Sequence, residues 1–230
     1  MKISGVNLEF LGHDGFLIEY MGKRIFIDPF KVSDSDKIGK ADLILITHSH
    51  YDHCSVKDIS KLVKEGTEIV IPVDCQSKLN RLENVKIRIA TTGIKMKALG
   101  INVYPFPAYN LNKKFHPKDE NWMGFILKFG DVIIYHAGDT DKISEMDFLS
   151  NLAQEGEKVI ALLPVCGVYV MTAEEAASAA SVIKPHLAIP MHYGAEVVKS
   201  GHEELADAKR FLELCKENGI NAKILNKYGS

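Results

Sequence analysis

Apolar positions in the first half of the chain fall in short runs, at residues 8–11, 15–20, 24–27, 43–46 and 68–72, separated by polar or glycine-containing breaks. Runs of this length, rich in Leu, Ile and Phe, predict β-strands rather than helices. Met21-Gly22-Lys23 reads as the turn of a hairpin. A polar loop at 31–40 precedes the run 43–46, which leads directly into a group of histidines. Ser55 has the position of an N-cap before an amphipathic stretch that ends at Lys64, and residues 74–82 predict a short helix. Strands are again predicted at 85–90, 95–98, 101–106, 125–129 and 132–136, the last two joined by Gly130-Asp131 as a hairpin turn. A long loop, 107–122, interrupts that series.

The second half is richer in helix. Residues 159–164 read as a buried strand, and Thr172-Ala173-Glu174-Glu175 forms a capping box that opens an alanine-rich helix to Lys184. A short strand at 187–190 follows, then a strongly amphipathic helix over 203–217 stopped by Asn218-Gly219, then a closing strand at 222–225. No internal repeat or Pro/Gly-rich linker divides the chain, so the pattern predicts one α/β domain over residues 1–230 with a large strand content.

Composition narrows the partners. A hydrophobic fraction of 46% in 230 residues supplies a substantial core. The formal net charge of -2 carries no electrostatic footprint for nucleic acid, so a small-molecule substrate is expected instead. Cys54, Cys75, Cys166 and Cys215 show no CxxC spacing, which fits reduced thiols in a cytoplasmic protein better than a disulfide scaffold or a zinc knuckle. The start of the chain lacks a signal-like apolar core, and no apolar run is long enough to span a membrane, so no membrane association is expected.

Four potential metal ligands, His48, His50, Asp52 and His53, fall within six positions immediately after an apolar strand. In extended chain alternate residues face the same way, so His48 and His50 can approach one ion, and a turn after them would aim Asp52 and His53 at a second. Crowded imidazoles repel one another when protonated, and a carboxylate at the end of an apolar strand needs a partner; bound cations resolve both problems. Imidazole nitrogen and carboxylate oxygen suit zinc, with manganese or iron as alternatives. Asp139, after the strand 132–136, and His192, after the strand 187–190, occupy equivalent positions at strand ends, where scaffolds commonly present functional groups.

Thr47-His48-Ser49-His50-Tyr51-Asp52-His53 matches the HxHxDH signature of the metallo-β-lactamase superfamily, which the chain resembles also at Gly138-Asp139, at Met191-His192 and at Asp28 after its strand. Within that superfamily, residues 11–16 and 164–172 are similar to the small metal-dependent hydrolases related to L-ascorbate-6-phosphate lactonase, although Cys166-Gly167 stands where a Gly-Gly pair is usual. The resemblance implies a four-layer αββα sandwich of two mixed β-sheets flanked by helices. It implies two divalent metal ions, zinc in the first instance. His48 and His50 would bind the first, Asp52, His53 and His192 the second; Asp139 would bridge them, and Asp28 would orient ligands from behind.

The family usually supplies one more first-metal histidine after a strand, where this chain has Ala108-Tyr109-Asn110. His116 either reaches back as that ligand or is an exposed loop side chain. His13 either lines the cleft, as the group that delivers a proton to the leaving group, or packs in the core. The implied activity is hydrolysis of a small ester, lactone or phosphodiester by a metal-activated hydroxide, with Asp52 orienting it. A nuclease acting on RNA or DNA and a non-catalytic metal-binding scaffold are the alternatives. The 203–217 helix leaves open a homo-oligomer or packing on the protein's own sheet.

Overall fold

Strand-forming segments assemble into two sheets with the same internal plan. In the first, β1 (Lys2–Ile3), β2 (Val6–Gly12), β3 (Gly15–Tyr20) and β4 (Lys23–Ile27) form an antiparallel meander, and β5 (Leu43–Leu45), β6 (Glu68–Ile71) and β7 (Lys86–Ile89) continue it in parallel. In the second, β8 (Met96–Ala98), β9 (Ile101–Pro107), β10 (Met123–Phe129) and β11 (Val132–His136) are antiparallel, and β12 (Lys158–Pro164) and β13 (Leu187–Met191) are parallel to β11. The helices are α1 (Ser35–Ile38), α2 (Val56–Leu62), α3 (Gln76–Leu79), α4 (Ala173–Ile183) and α5 (Ala206–Glu217). This computed structural model describes residues 1–32, 35–194 and 205–229.

Alternation along each strand explains why the sheets stack. On β5, Leu43 and Leu45 join an inner cluster with Phe125, Leu127 and Ile134 of the opposite sheet. Ile44 and the following Ile46 face outward and pack with Ile59 and Leu62 of α2. A strand buried on both faces reads as an unbroken apolar run, which is why 43–46 shows no polar alternation. On the far side, the buried face of α4 is mostly alanine (Ala173, Ala176, Ala177 and Ala180), small side chains that let the helix lie close to its neighbours; Ala208, Phe211 and Cys215 form the buried stripe of α5. The result is the expected αββα sandwich of two mixed sheets flanked by helices.

Both anticipated caps are present. Ser55 Oγ accepts from Asp58 N, and Thr172 and Glu175 bond reciprocally, Thr172 N donating to Glu175 Oε2 at 2.8 Å and Glu175 N to Thr172 Oγ1 at 3.1 Å.

Several local expectations are corrected. The loop at 31–40 contains the turn of helix α1, and the 74–82 helix is a 3-10 turn, Val73–Cys75, followed by the single turn α3. The closing strand at 222–225 is not a strand. Ala188 of β13 pairs with Ala222, and Phe10 of β2 with Lys227, so the segment makes isolated bridges to one sheet and then the other. It crosses from sheet to sheet and so cannot run along either. The amphipathic helix begins at Ala206; residues 203 and 204 of its anticipated span lie outside the described residues.

One glycine is fixed by close approach rather than by backbone angle. A Cβ on Gly124 would overlap His136 O and lie 2.5 Å from Ala137 O, both backbone atoms at the end of β11. Gly124→Ala is therefore expected to destabilise the fold by about 3 kcal/mol, the upper part of the overpacking range, because neither strand has room to withdraw. Urea unfolding measures this, and an unchanged midpoint would mean that the β10–β11 contact is looser than described.

Candidate metal centre

The parallel strands of both sheets end at one edge of the sandwich, and the loops beyond them carry the ionisable groups. Asp28 follows β4, His48 to His53 follow β5, Asp139 follows β11 and His192 follows β13. His13 and Asp14 sit in the β2–β3 turn, and His116 in the β9–β10 loop. Ligand sites at the carboxyl ends of parallel strands are a general property of such sheets.

Asp139 is the hub. Its Oδ2 lies 3.0 Å from His116 Nε2, 3.1 Å from His192 Nε2, 3.5 Å from His53 Nε2 and 3.9 Å from His48 Nε2. All of these side chains are buried. His48 Nε2 and His50 Nδ1 approach to 3.0 Å. Four groups of donors have ligand atoms within 4.8 Å of one another: His48, His50 and His116; His53, His192, Asp139 and Asp14; His13, His53 and His192; and Asp28, His48 and His53. The first two share no residue and form two separate sets, each able to share an ion.

The far side of each imidazole determines which nitrogen it presents. Asp28 accepts from Thr47 N at 2.8 Å, from the Thr47 hydroxyl at 2.5 Å and from His53 Nδ1 at 2.8 Å. Because that hydroxyl donates to Asp28, it can accept from His48 Nδ1, 2.9 Å away. Asn110 Oδ1 accepts from His116 Nδ1 at 3.0 Å, and the Asn110 amide donates to Tyr169 O. Thus His48, His53 and His116 each have Nδ1 occupied; His53 and His116 turn a partnerless Nε2 toward the centre, while His48 Nε2 lies against His50 Nδ1, and engagement at Nδ1 with Nε2 facing inward is the arrangement that metal-bound histidines adopt. Trp122 closes one wall, its ring centroid 4.8 Å from those of both His48 and His50, and is anchored by donating to Asp74.

These residues fit a divalent cation on the structure's own terms. His53 Nε2, His116 Nε2, Asp139 Oδ1, His192 Nδ1 and both Asp14 oxygens are buried with no hydrogen-bond partner. Buried polar atoms are nearly always satisfied, so a group of orphans facing one another marks a missing partner. Electrostatics points the same way. Burial opposes the charged forms of His53 and His192, yet Asp139, joined by Asp28 for the one and Asp14 for the other, outweighs it and raises both imidazoles well above their usual range. The field that attracts protons to these nitrogens attracts a divalent cation in competition with them.

His116 is thus within the cluster, not an exposed loop side chain. Asn110 stands where the family's histidine is expected and holds His116 by two bonds, from its backbone N–H and its ring. Asp52 stands apart from both sets; its Oδ2 lies 3.2 Å from His13 Nε2, and its side chain is 22% exposed. Burial lowers the His13 pKa to about 4, with His192 adding to the effect. His136 bonds Gly138 N and Asp14 O, bracing the Asp139 loop. His186 has no place in the cluster, and His202 lies outside the described residues. Sequence reasoning passed over Asp14; its one signal was adjacency to His13 at a turn between strands.

A cavity of about 250 Å³ opens onto the centre, lined by His50, Asp52, His116, Asp139 and His192 and by the aromatic side chains Tyr51, Phe115 and Tyr169. Its volume suits a small molecule or one end of a larger one.

An αββα sandwich with imidazoles and carboxylates gathered at this edge is the framework of a metal-dependent hydrolase of metallo-β-lactamase fold. The sequence profile of the family described as "Beta-lactamase superfamily domain" matches residues 7–192. A UPF0173 metal-dependent hydrolase of Caldivirga maquilingensis is 35% identical over 193 residues, covering 81% of each chain. A crystal structure from Parabacteroides distasonis matches with a TM-score of 0.81 at 31% identity, covering 96% of this chain and 94% of the other. Igni18, a metallo hydrolase from Ignicoccus hospitalis, matches with a TM-score of 0.76 at 27% identity, covering 96% and 95%. The chain belongs to the beta-lactamase superfamily, within which its relatives are metal-dependent hydrolases. Among the described residues no helix is long and apolar enough to cross a membrane.

Proposed function

We propose that the protein hydrolyses a small ester, lactone or phosphodiester at a centre of two divalent cations, zinc in the first instance. The observation that carries this reading is the ring of bare imidazole nitrogens around Asp139, with buried oxygens and nitrogens that no protein group satisfies. His48, His50 and His116 would hold one cation and His53 and His192 the other, with Asp139 between them. Cations there would supply Lewis acidity to the attacked group and lower the pKa of a water molecule.

The chain's own groups contribute orientation. Asp52, which lines the cavity, would orient the attacking water. His13 Nε2 lies 3.2 Å from Asp52 Oδ2, and that contact with its burial favours a role in positioning Asp52 over delivery of a proton to the leaving group. Tyr51, Phe115 and Tyr169 give the substrate apolar walls, which suits an ester or lactone with a hydrocarbon or aryl portion. The likeness of residues 11–16 and 164–172 to the lactonase group also favours lactones.

The test is a panel of chromogenic phosphodiesters, lactones, esters and thioesters, offered to metal-loaded protein with and without chelator. Turnover of at least one carboxylic ester or lactone, lost on chelation and restored by added metal, is expected. A metal-loaded protein inert to the whole panel would favour a binding scaffold. Chelator-sensitive cleavage of a structured RNA, lost in Asp52→Ala, would replace the small-molecule reading by a nuclease.

A further inference from the structure

We propose that Asp14 is a ligand of the second cation seat and that, with His53, His192 and Asp139, it makes a donor set of two imidazoles and two carboxylates that favours manganese or iron over zinc. This rests on the two-cation reading above but goes beyond it, since the resemblance to the superfamily assigns no role to Asp14 and makes zinc the first expectation.

The β2–β3 turn delivers the side chain. Gly12 and His13 both adopt left-handed backbone angles, with φ of +99° and +55°, and the turn closes tightly over Gly15, where a Cβ would lie 3.1 Å from Gly12 O. A turn this tight reverses the chain within two residues, and Asp14 emerges fully buried rather than pointing to solvent. Two outside bonds fix it: His136 Nε2 donates to Asp14 O at 2.9 Å, and His192 N donates to His13 O at 3.0 Å. The second ties the turn to the loop that carries His192, so both ligands move as one unit. His192, like His13, has a positive φ, +56°, a conformation that non-glycine residues adopt mainly where surroundings impose it.

Asp14 then has no hydrogen-bond partner for its carboxylate. Both carboxylate oxygens are buried and unbonded, and one lies within 4.8 Å of the ligand atoms of His53, Asp139 and His192. Two carboxylates side by side in a closed site require either a shared proton or a cation between them. Adding a carboxylate to a seat that already holds one shifts its donors from nitrogen toward oxygen, the direction that suits manganese and ferrous iron relative to zinc.

The measurement is metal binding, not turnover. Metal-free wild type, Asp14→Asn and the smaller Asp14→Ser are titrated separately with Mn(II) and Zn(II), with stoichiometry and affinity read by mass spectrometry of bound metal and by the Mn(II) resonance of the free ion. Wild type is expected to take two equivalents. Both variants are expected to keep the first and to bind the second Mn(II) at least about tenfold more weakly, with a smaller loss for Zn(II). Their metal-free melting temperatures should equal or exceed that of wild type, because the substitution removes a buried, unpartnered carboxylate. A second Mn(II) equivalent bound with wild-type affinity by both variants would overturn the proposal. So would metal-free variants that melt well below wild type, which would make Asp14 a structural group. Failure of the underlying reading looks different: wild type would then bind no second equivalent, and Asp139→Ala would match it.

Discussion

Asp139→Ala is expected to lower kcat/KM for any chelator-sensitive substrate by at least about a thousandfold, equivalent to about 4 kcal/mol of transition-state stabilisation, and to remove most of the bound metal. The size follows from the geometry. One oxygen of Asp139 is within 4 Å of the Nε2 atoms of His48, His53, His116 and His192, so the substitution deletes the negative charge common to both sets of donors. Four buried imidazoles then face one another with no anion between them, and proton competition no longer explains their spacing. The metal-free variant should nevertheless fold, since Asp139 accepts no backbone bond that the β11 loop needs; Gly138 N is satisfied by His136. Elemental analysis beside a melting curve separates the two effects. A variant with normal metal content and normal activity would remove Asp139 from the centre altogether.

How much of this was readable in the sequence depends on the range over which each signal acts. Strands β2 to β13 were legible because an apolar face or core obliges each to carry apolar residues in its own short window. The caps at Ser55 and Thr172 were legible for the same reason: both partners lie within four residues. The segment after α5 was not, because an apolar run that bridges two sheets has the same local pattern as one that joins a sheet.

The centre divides along the same line. His48, His50 and His53 announce themselves by spacing, and Asp139 and His192 by following apolar strands. His116 was ambiguous because its placement depends on Asn110, six residues earlier, folding back to hold both its backbone and its ring. An asparagine where a histidine was expected looks like the loss of a ligand in one dimension; in three it is the bracket that holds a replacement. Asp14 carried no local signal beyond its adjacency to His13 at a turn between strands. A carboxylate in a Gly-His-Asp-Gly turn is ordinary surface chemistry unless the turn is folded inward, and that follows from the packing of β2 and β3 against the second sheet.

Asp28→Asn should cost the centre its metal while leaving the fold largely intact, because Asp28 acts on the site through its bonds to Thr47 and His53. Asp28 accepts three bonds, from Thr47 N, from the Thr47 hydroxyl and from His53 Nδ1. An amide presents one acceptor and one donor. If its nitrogen faces His53, the imidazole must accept at Nδ1 and carry its proton on Nε2, the atom that faces Asp139. If its nitrogen faces Thr47 N instead, two donors oppose each other, the Thr47–His48 strut loosens, and His48 Nδ1 loses its fixed partner. Either orientation damages one set of ligands, so metal affinity should fall by about 10- to 100-fold, the range typical for groups that orient ligands. Asp28→Ala should add a loss of about 3 kcal/mol in stability, because it removes a buried, hydrogen-bonded charge and strands the donors around it. Activity lost in Asp28→Asn and recovered by raising metal concentration identifies ligand orientation as the cause. Wild-type metal affinity in Asp28→Asn would instead show that the tautomers of His48 and His53 are set elsewhere.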